Sequence, residues 1–331
     1  MEHVFFIHSN ICSIVVYNTV KSILVKGEKV RIMLDRSAKW CYNTEGISFI
    51  DTTPIMLEYN GIIRTGKHSI RNMLKLRKII KKLEQYSANV IGCQDFILYI
   101  TQYRPPLSSI FCENKYCKGF YYFEEGTMSY RTLEYVKKIT GYSMFRDLIS
   151  NCLGLRYHSF FHINEKFRGT ISIDNHAFPW NQENRILNKC ETVNTKDFNY
   201  NIKRNIIIMG PMYRNTDNVE EVKTCLGYLN EKIGGLEKMA IKFHPLFSKE
   251  EKEKIEKICV YAQSMGIEVL SNEFVVEFNL IQSKANIYSL FSKSSLALYA
   301  FLLGGRAYDV KQEMNGYSIN EVKKLEDIII Y

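Results

Sequence analysis

The chain has little that would mark a stapled, metal-bound or membrane-spanning protein. Its nine cysteines are odd in number and scattered, with no CxxC spacing and no Cys/His quartet, which argues against a disulfide framework and a zinc site. Cys112 and Cys117 are the nearest pair, and free buried thiols in a reducing compartment account for them better than a local bridge. No run approaches the ~18 consecutive apolar residues of a membrane span. Met1–Ile7 reads straight into a first core strand, so no leader pattern is expected. No GxGxxG follows that strand, which removes the dinucleotide fingerprint. His158 and His162 stand four apart, but no HExxH frames them and no third ligand is evident. The expected compartment is the cytoplasm.

What is present is an ordinary globular composition. The 331 residues are 46% hydrophobic and 24% charged, enough for two domains at roughly 150 residues each. A net charge of +9 points to a polyanion, an anionic membrane face or a negatively charged substrate. Composition alone does not choose among them.

Strand and helix patterns alternate in two stretches. Glu2–His8 predicts an apolar strand, Ile11–Val25 a buried helix and Lys29–Leu34 the next strand, the opening of a parallel α/β layer. His8, Ser9 and Asn10 fill the first strand-to-helix loop, either lining a cleft or forming a plain turn with Asn10 as helix cap. Ser69–Tyr86 predicts an amphipathic helix. Met73, Leu76, Ile80 and Leu83 make its apolar stripe, and Arg71, Lys75, Arg77, Lys78, Lys81 and Lys82 its basic remainder. Such a face suits solvent or an anionic membrane. Ala88–Cys93 and Lys118–Phe123 read as further strands, the latter ending in Glu124-Glu125-Gly126, with a helix following from Tyr130 to Ile139. From Gly154 to about Lys203 the periodicity loosens. That irregular connection puts the domain boundary near 190, giving domains 1–190 and 191–331.

The second stretch restarts the alternation. Arg204–Met209 is a strand closing on Gly210-Pro211, and Asp217–Lys232 is helical. In Met239–Pro245 (MAIKFHP) the first four or five residues form a buried strand, whose end delivers Lys242, His244 and Pro245. Ligands of open α/β sheets sit outside the carboxyl ends of strands, so a cation and an imidazole there suit an anionic ligand. Pro245 stops the strand. A His-Pro pair alone is equally an ordinary strand end. A charged helix at Lys249–Ser264, strands at Ile267–Leu270 and Asn286–Ser289, and a helix at Ser292–Leu303 complete the pattern. That last helix opens near Ser294 and Ser295 and stops at Gly304-Gly305.

Three motifs now stand in order, each at a strand or helix end: Glu124-Glu125-Gly126, His244-Pro245 and Ser294-Ser295. In this the chain resembles the bacterial GT-B sialyltransferases, including lipooligosaccharide sialyltransferases and capsular polysialyltransferases. These carry an acidic pair before glycine, an HP motif and a serine/threonine pair in the same order. The context FEEGTMSY is especially similar, and the resemblance spans most of the chain. It implies a GT-B-like α/β fold, two Rossmann-like domains facing a central cleft, with acceptor and general base on 1–190 and the CMP-sugar donor on 191–331. The implied reaction is inverting transfer of sialic acid from CMP-sialic acid to a glycan hydroxyl. Galactose or sialic acid of a bacterial surface polysaccharide, lipooligosaccharide or capsule is the expected acceptor.

The resemblance also implies residue roles. Glu124 or Glu125 would take the acceptor proton, and extended backbone would send only one of them into the cleft. Asp217 is a further candidate for that base. His244, Ser294 and Ser295 would hold the leaving phosphate, with helix N-terminal amides assisting. Lys242 and Pro245 belong to the same donor loop. Glu277, in FVVEFNL, stands where related enzymes hold the nucleotide ribose, and Gly210 where the backbone approaches the donor. No metal and no cofactor beyond the donor substrate are implied, and no DxD is present.

Two rival readings differ in class. One is a GT-B transferase of another CMP- or CDP-activated group, such as Kdo, another nonulosonic acid or polyol phosphate. The other is a basic nucleic-acid-binding protein. The basic residues concentrate on one helix and no RNP or zinc-finger pattern occurs, so no nucleic-acid partner is expected. The expected partners are a nucleotide sugar and a glycan, with a peripheral place of work at the anionic inner face of the inner membrane.

Overall fold

Strand β1, Glu2–Ile7, is buried at all six positions, the pattern of a strand inside a parallel sheet rather than at its edge. It anchors the first of two units, Met1–Glu191 and Thr192–Tyr331. The computed structural model describes residues 1–36, 38–40, 42–64, 70–101, 106–139, 165–191, 203, 205–209, 219–233, 239–243, 249–290, 295–313 and 316–328. Each unit is a Rossmann-like α/β layer with helices between parallel strands.

In the first unit, α1 (Asn10–Val25), β2 (Lys29–Leu34), β3 (Ile47–Asp51), α2 (Thr53–Arg64) and α3 (Ile70–Ile91) follow β1. Then come β4 (Phe96–Thr101), α4 (Pro106–Glu113), β5 (Cys117–Phe123), α5 (Leu133–Ile139), β6 (Phe167–Ser172) and β7 (Arg185–Leu187). The strands lie in the order β3-β2-β1-β4-β5-β6-β7, every pair parallel. The chain winds outward from β1, then returns to lay β4 on its other side. That reversal is a topological switch point, where the loops leaving β1 and β4 part and leave a crevice.

The second unit contains β8 (Asn205–Met209), α6 (Val219–Ile233), β9 (Met239–Phe243), α7 (Lys249–Ser264) and β10 (Glu268–Val269). It continues with α8 (Val276–Ser283), β11 (Asn286–Leu290), α9 (Ser295–Leu302), β12 (Ala307–Glu313) and β13 (Gly316–Glu321). Its order, β10-β9-β8-β11-β12-β13, repeats the same winding with the switch between β8 and β11. Among the described residues, only the β12–β13 pair is antiparallel.

Several sequence expectations are corrected. Ala88–Cys93 is not a strand. Leu83, Ser87 and Ile91 are buried at helical spacing and keep α3 going to Ile91. Gly92, at φ +61°, then ends it, donating its N–H to the Ala88 carbonyl at 2.8 Å, a left-handed stop suited to glycine. The loose stretch from Gly154 holds β6 and β7, the second only three residues long, too short to show a period. Asn10 does not cap α1: Ser9 occupies the N-cap position, and the Asn10 Oδ1 accepts the Lys39 N–H at 2.9 Å instead.

Aromatic packing fills the first core. Phe5, Phe96, Phe111, Phe120 and Tyr122 are fully enclosed, each contributing about 1.5–3 kcal/mol by leaving water. Phe5 stacks on Tyr99 with centroids 4.0 Å apart. The second core is aliphatic, built on Ile207, Leu226, Leu229 and Ile241.

Charge gathers at the amino end of the first sheet. Arg31 Nη2 meets Glu2 Oε1 at 2.8 Å. His3 bonds the Tyr99 hydroxyl through Nδ1 at 2.9 Å and Glu28 through Nε2. Burial lowers the His3 pKa below 6.5, and Glu28 opposes that shift in part. Among the described residues, no helix is long and apolar enough to cross a membrane.

Candidate active site

The carboxyl end of β5 separates the two acidic residues that follow it. Glu124 still belongs to the sheet, its N–H donating to the Ile171 carbonyl at 2.9 Å. Its side chain is wholly buried. Oε1 accepts the Tyr130 hydroxyl at 2.7 Å and Oε2 the Ile173 N–H at 2.9 Å. Both oxygens are thus engaged in tying the β5 and β6 ends together.

Glu125 turns elsewhere. Its N–H donates to the Ser129 hydroxyl at 3.0 Å, and Gly126 at φ +92° takes the left-handed backbone that starts the short helix Thr127–Tyr130. The Glu125 carboxylate meets the imidazole of His8 through Oε1 and Nε2. His8 is the first residue after β1, at the switch point. The His8 side chain is 7% exposed and that of Glu125 25%, so solvent reaches the carboxylate more than the ring. Of the two acids, only Glu125 keeps a part-exposed carboxylate, and the imidazole beside it has no counterpart in the sequence expectations. The available signal was topological: a histidine directly after a central strand stands on the same sheet end as the acidic pair.

The thiol beside this pair is held inert. Cys12 Sγ lies 3.0 Å from the Ser9 hydroxyl. Burial first, and the Glu125 charge second, push its thiol pKa far up, so it stays protonated and is no nucleophile. Beside this pair, His8 also lines a pocket with Asp35, Thr52 and Thr101.

In the second unit, Lys242 on β9 is 9% exposed and donates to the Ser271 carbonyl at 2.5 Å. Glu277 sits in the first turn of α8. Burial raises its pKa, and a backbone hydrogen bond of its own and, after it, the charge of Lys242 pull the other way. Ser295 is exposed as the first residue of α9. Gly210, Asp217, His244, Pro245 and Ser294 lie outside the described residues. The strands that lead towards Gly210, His244 and the serine pair are neighbours, with Met209 in register with Phe243 and with Leu290.

No protein-family model matches the chain, and no curated protein matches it. Solved structures similar to it include the UDP-GlcNAc 2-epimerase from Neisseria meningitidis bound to UDP-GlcNAc, at 10% identity and a TM-score of 0.47, over 95% of this chain and 83% of that one. The UDP-GlcNAc 2-epimerase from Methanocaldococcus jannaschii is similar at 9% identity and a TM-score of 0.46, over 95% and 84%. A heptosyltransferase from Escherichia coli with ADP is similar at 12% identity and a TM-score of 0.42, over 95% of this chain and 88% of that one.

Proposed function

We propose that the chain is an inverting sialyltransferase that moves sialic acid from CMP-sialic acid to a hydroxyl of a glycan acceptor. The observation that carries the reading is the Glu125–His8 pair at the switch point of the first sheet, within the motif that resembles the sialyltransferase acidic pair. In this reading His8 donates to Oε1 and fixes the carboxylate, and Oε2 takes the acceptor proton as the hydroxyl oxygen attacks the anomeric carbon. The bond from that carbon to the CMP phosphate breaks, and CMP leaves with the bonding electrons. General-base assistance of this kind is worth about 10²–10⁴-fold. Glu124, with both oxygens committed to Tyr130 and the Ile173 N–H, supports the turn that aims Glu125.

The second unit supplies the donor end in this reading. Lys242 lies on the strand that precedes His244 and Pro245, and its charge reaches Glu277. Lys242, His244, Ser294 and Ser295 offset the charge that develops on the leaving phosphate, Glu277 holds the ribose, and Gly210 admits the donor backbone-close. No metal and no further cofactor take part. The exposed Lys75, Arg77, Lys78 and Lys81 along α3 suit an anionic membrane face as the place of work, where a lipid-linked acceptor would be met. Liposome co-sedimentation indifferent to anionic lipid content would remove that membrane role.

Calorimetric titration of CMP, CDP, UDP and GDP tests the donor. Selective CMP binding, weakened by His244→Ala, is the expected result. Preference for UDP would redirect the reading to a UDP-sugar enzyme, and binding indifferent to His244 would sink the donor assignment.

A further inference from the structure

The β1, β2 and β3 strands end in step. Ile7 is in register with Leu34, and Leu34 with Asp51, so the next residues along, His8, Asp35 and Thr52, form a row one position beyond the sheet. The ladder itself extends to hold them: the Asp35 N–H donates to the Ile7 carbonyl at 2.9 Å, and the Thr52 N–H to the Leu34 carbonyl at 2.7 Å. With Thr101 from the end of β4, they line one pocket whose apolar wall includes Ile7, Met56 and Leu107. Its free volume is about 10 Å³, room for a single hydroxyl or water rather than for a whole sugar, at the switch point where ligands of such sheets sit.

Asp35 is the group in that pocket left incomplete. It is 6% exposed. Its Oδ2 lies 3.7 Å from Arg36 Nε, and its Oδ1 is buried with no hydrogen-bond partner among the described residues. A buried, unpaired carboxylate oxygen is costly, and a ligand hydrogen-bond donor relieves that cost. The Thr52 hydroxyl is already spent on the Leu34 carbonyl at 2.9 Å, so it does not supply the donor. His8 belongs both to this pocket and to the pair with Glu125. Whatever donates to Asp35 therefore shares one wall, His8, with Glu125, which itself does not line the pocket.

We propose that this pocket holds a second hydroxyl of the acceptor sugar, the one neighbouring the reacting hydroxyl, and that Asp35 accepts its hydrogen bond. The inference rests on the transferase reading above and adds to it the residue that selects among acceptors. A site that pairs a substrate hydroxyl discriminates strongly against the analogue lacking it, because the buried partner is then left unsatisfied.

The test needs no donor. Methyl β-galactoside and the methyl glycoside of N-acetylneuraminic acid, with their monodeoxy derivatives, are titrated into the full chain by NMR. Wild type, Asp35→Leu and Asp35→Asn are compared. Expected is binding of one parent glycoside, weakened about tenfold or more by Asp35→Leu and less by the isosteric Asp35→Asn. One monodeoxy derivative should bind wild type as weakly as the parent binds Asp35→Leu, and should lose nothing further on that substitution. If Asp35→Leu fails to fold, the Asp35→Asn and deoxy comparison decides alone. Equal affinity in all three proteins, or no glycoside binding at all, would mean that the pocket holds a water only and would overturn the proposal. CMP titration of the same samples keeps the two readings apart. Asp35-dependent glycoside binding without CMP selectivity sinks the donor assignment and leaves the pocket standing, and the converse sinks the pocket.

Discussion

Glu125 is hydrogen-bonded to His8 across three neighbouring strands of one sheet, although 117 positions of chain separate them. Glu124, its immediate neighbour, is bonded instead to Tyr130 and to the Ile173 N–H. Adjacent carboxylates in extended backbone thus have separate environments, and separate consequences follow when each is changed.

Glu125→Gln should lower kcat by about 10²–10⁴-fold and leave thermal stability nearly unchanged. Glu124→Gln should do the reverse. The amide oxygen can keep the Ile173 N–H, but the amide nitrogen then faces the Tyr130 hydroxyl, which must turn to accept and gives up its bond to a carboxylate, at about 1–3 kcal/mol. Chemical denaturation and steady-state rates on both variants check the pair of outcomes. A large rate loss without destabilisation in Glu124→Gln would transfer the base to Glu124.

His8→Phe keeps a flat ring after β1 but removes the donor on Glu125 Oε1. Misaiming the carboxylate should reduce kcat by up to about 10²-fold, with little change in the affinity for CMP. His8→Gln, which keeps an amide donor after β1, should recover part of that loss. Equal losses in the two variants would assign His8 to packing.

The raised pKa of Glu277 makes its charge a cost to the folded state near neutrality. The sign follows from linkage: a carboxyl whose folded pKa exceeds its unfolded one stabilises at low pH, and loses that contribution as pH rises through the folded pKa. Glu277→Gln should therefore raise the melting temperature at about pH 7.5 and give no gain at about pH 4.5. The same substitution should weaken CMP binding, a trade of activity for stability. Destabilisation at neutral pH would show that the charge of Lys242 and the backbone hydrogen bond outweigh burial.

At the other end of the sheet, His3 titrates below 6.5 because burial disfavours its charged form. The unfolded chain binds the proton first as pH falls, so the stability held by neutral His3 is present above pH 6.5 and lost on the way down to the folded value. Urea midpoints of wild type should fall between about pH 7.5 and pH 5.5. His3→Gln should flatten that slope while lowering the plateau, since Tyr99 loses its ring partner. An unchanged slope would mean that the charge of Glu28 cancels the effect of burial.

The fold was legible where a period or a punctuation residue spoke for it. Glu2–His8, Lys29–Leu34 and the first four or five residues from Met239 read as strands because each is a short apolar run. The structure has strands there, at Glu2–Ile7, Lys29–Leu34 and Met239–Phe243, and the helix Lys249–Ser264 with the bounds its pattern predicts. Ala88–Cys93 misled because the tail of a helix packed on a sheet is as apolar as a strand. Ile47–Asp51 and Arg185–Leu187 escaped because a sheet-edge strand needs little burial. At the site, the acidic pair was visible as a motif. Its partner was not, since hydrogen bonds between strand ends depend on strand order, and strand order depends on which strand β1 pairs with. Asp35 and Thr52 were hidden for the same reason: nothing in their local sequence says that Leu34 and Asp51 end level with Ile7.

That level ending sets the row apart from the sheet's other side-chain bonding. The ion pair of Glu2 with Arg31 and the ring contact of His3 with Tyr99 lie at the amino end of the strands, a full strand length from the row His8, Asp35 and Thr52. The bonds that carry the ladder into the row are made by backbone groups, so the side chains there can be exchanged singly while the ladder that holds them in line is kept.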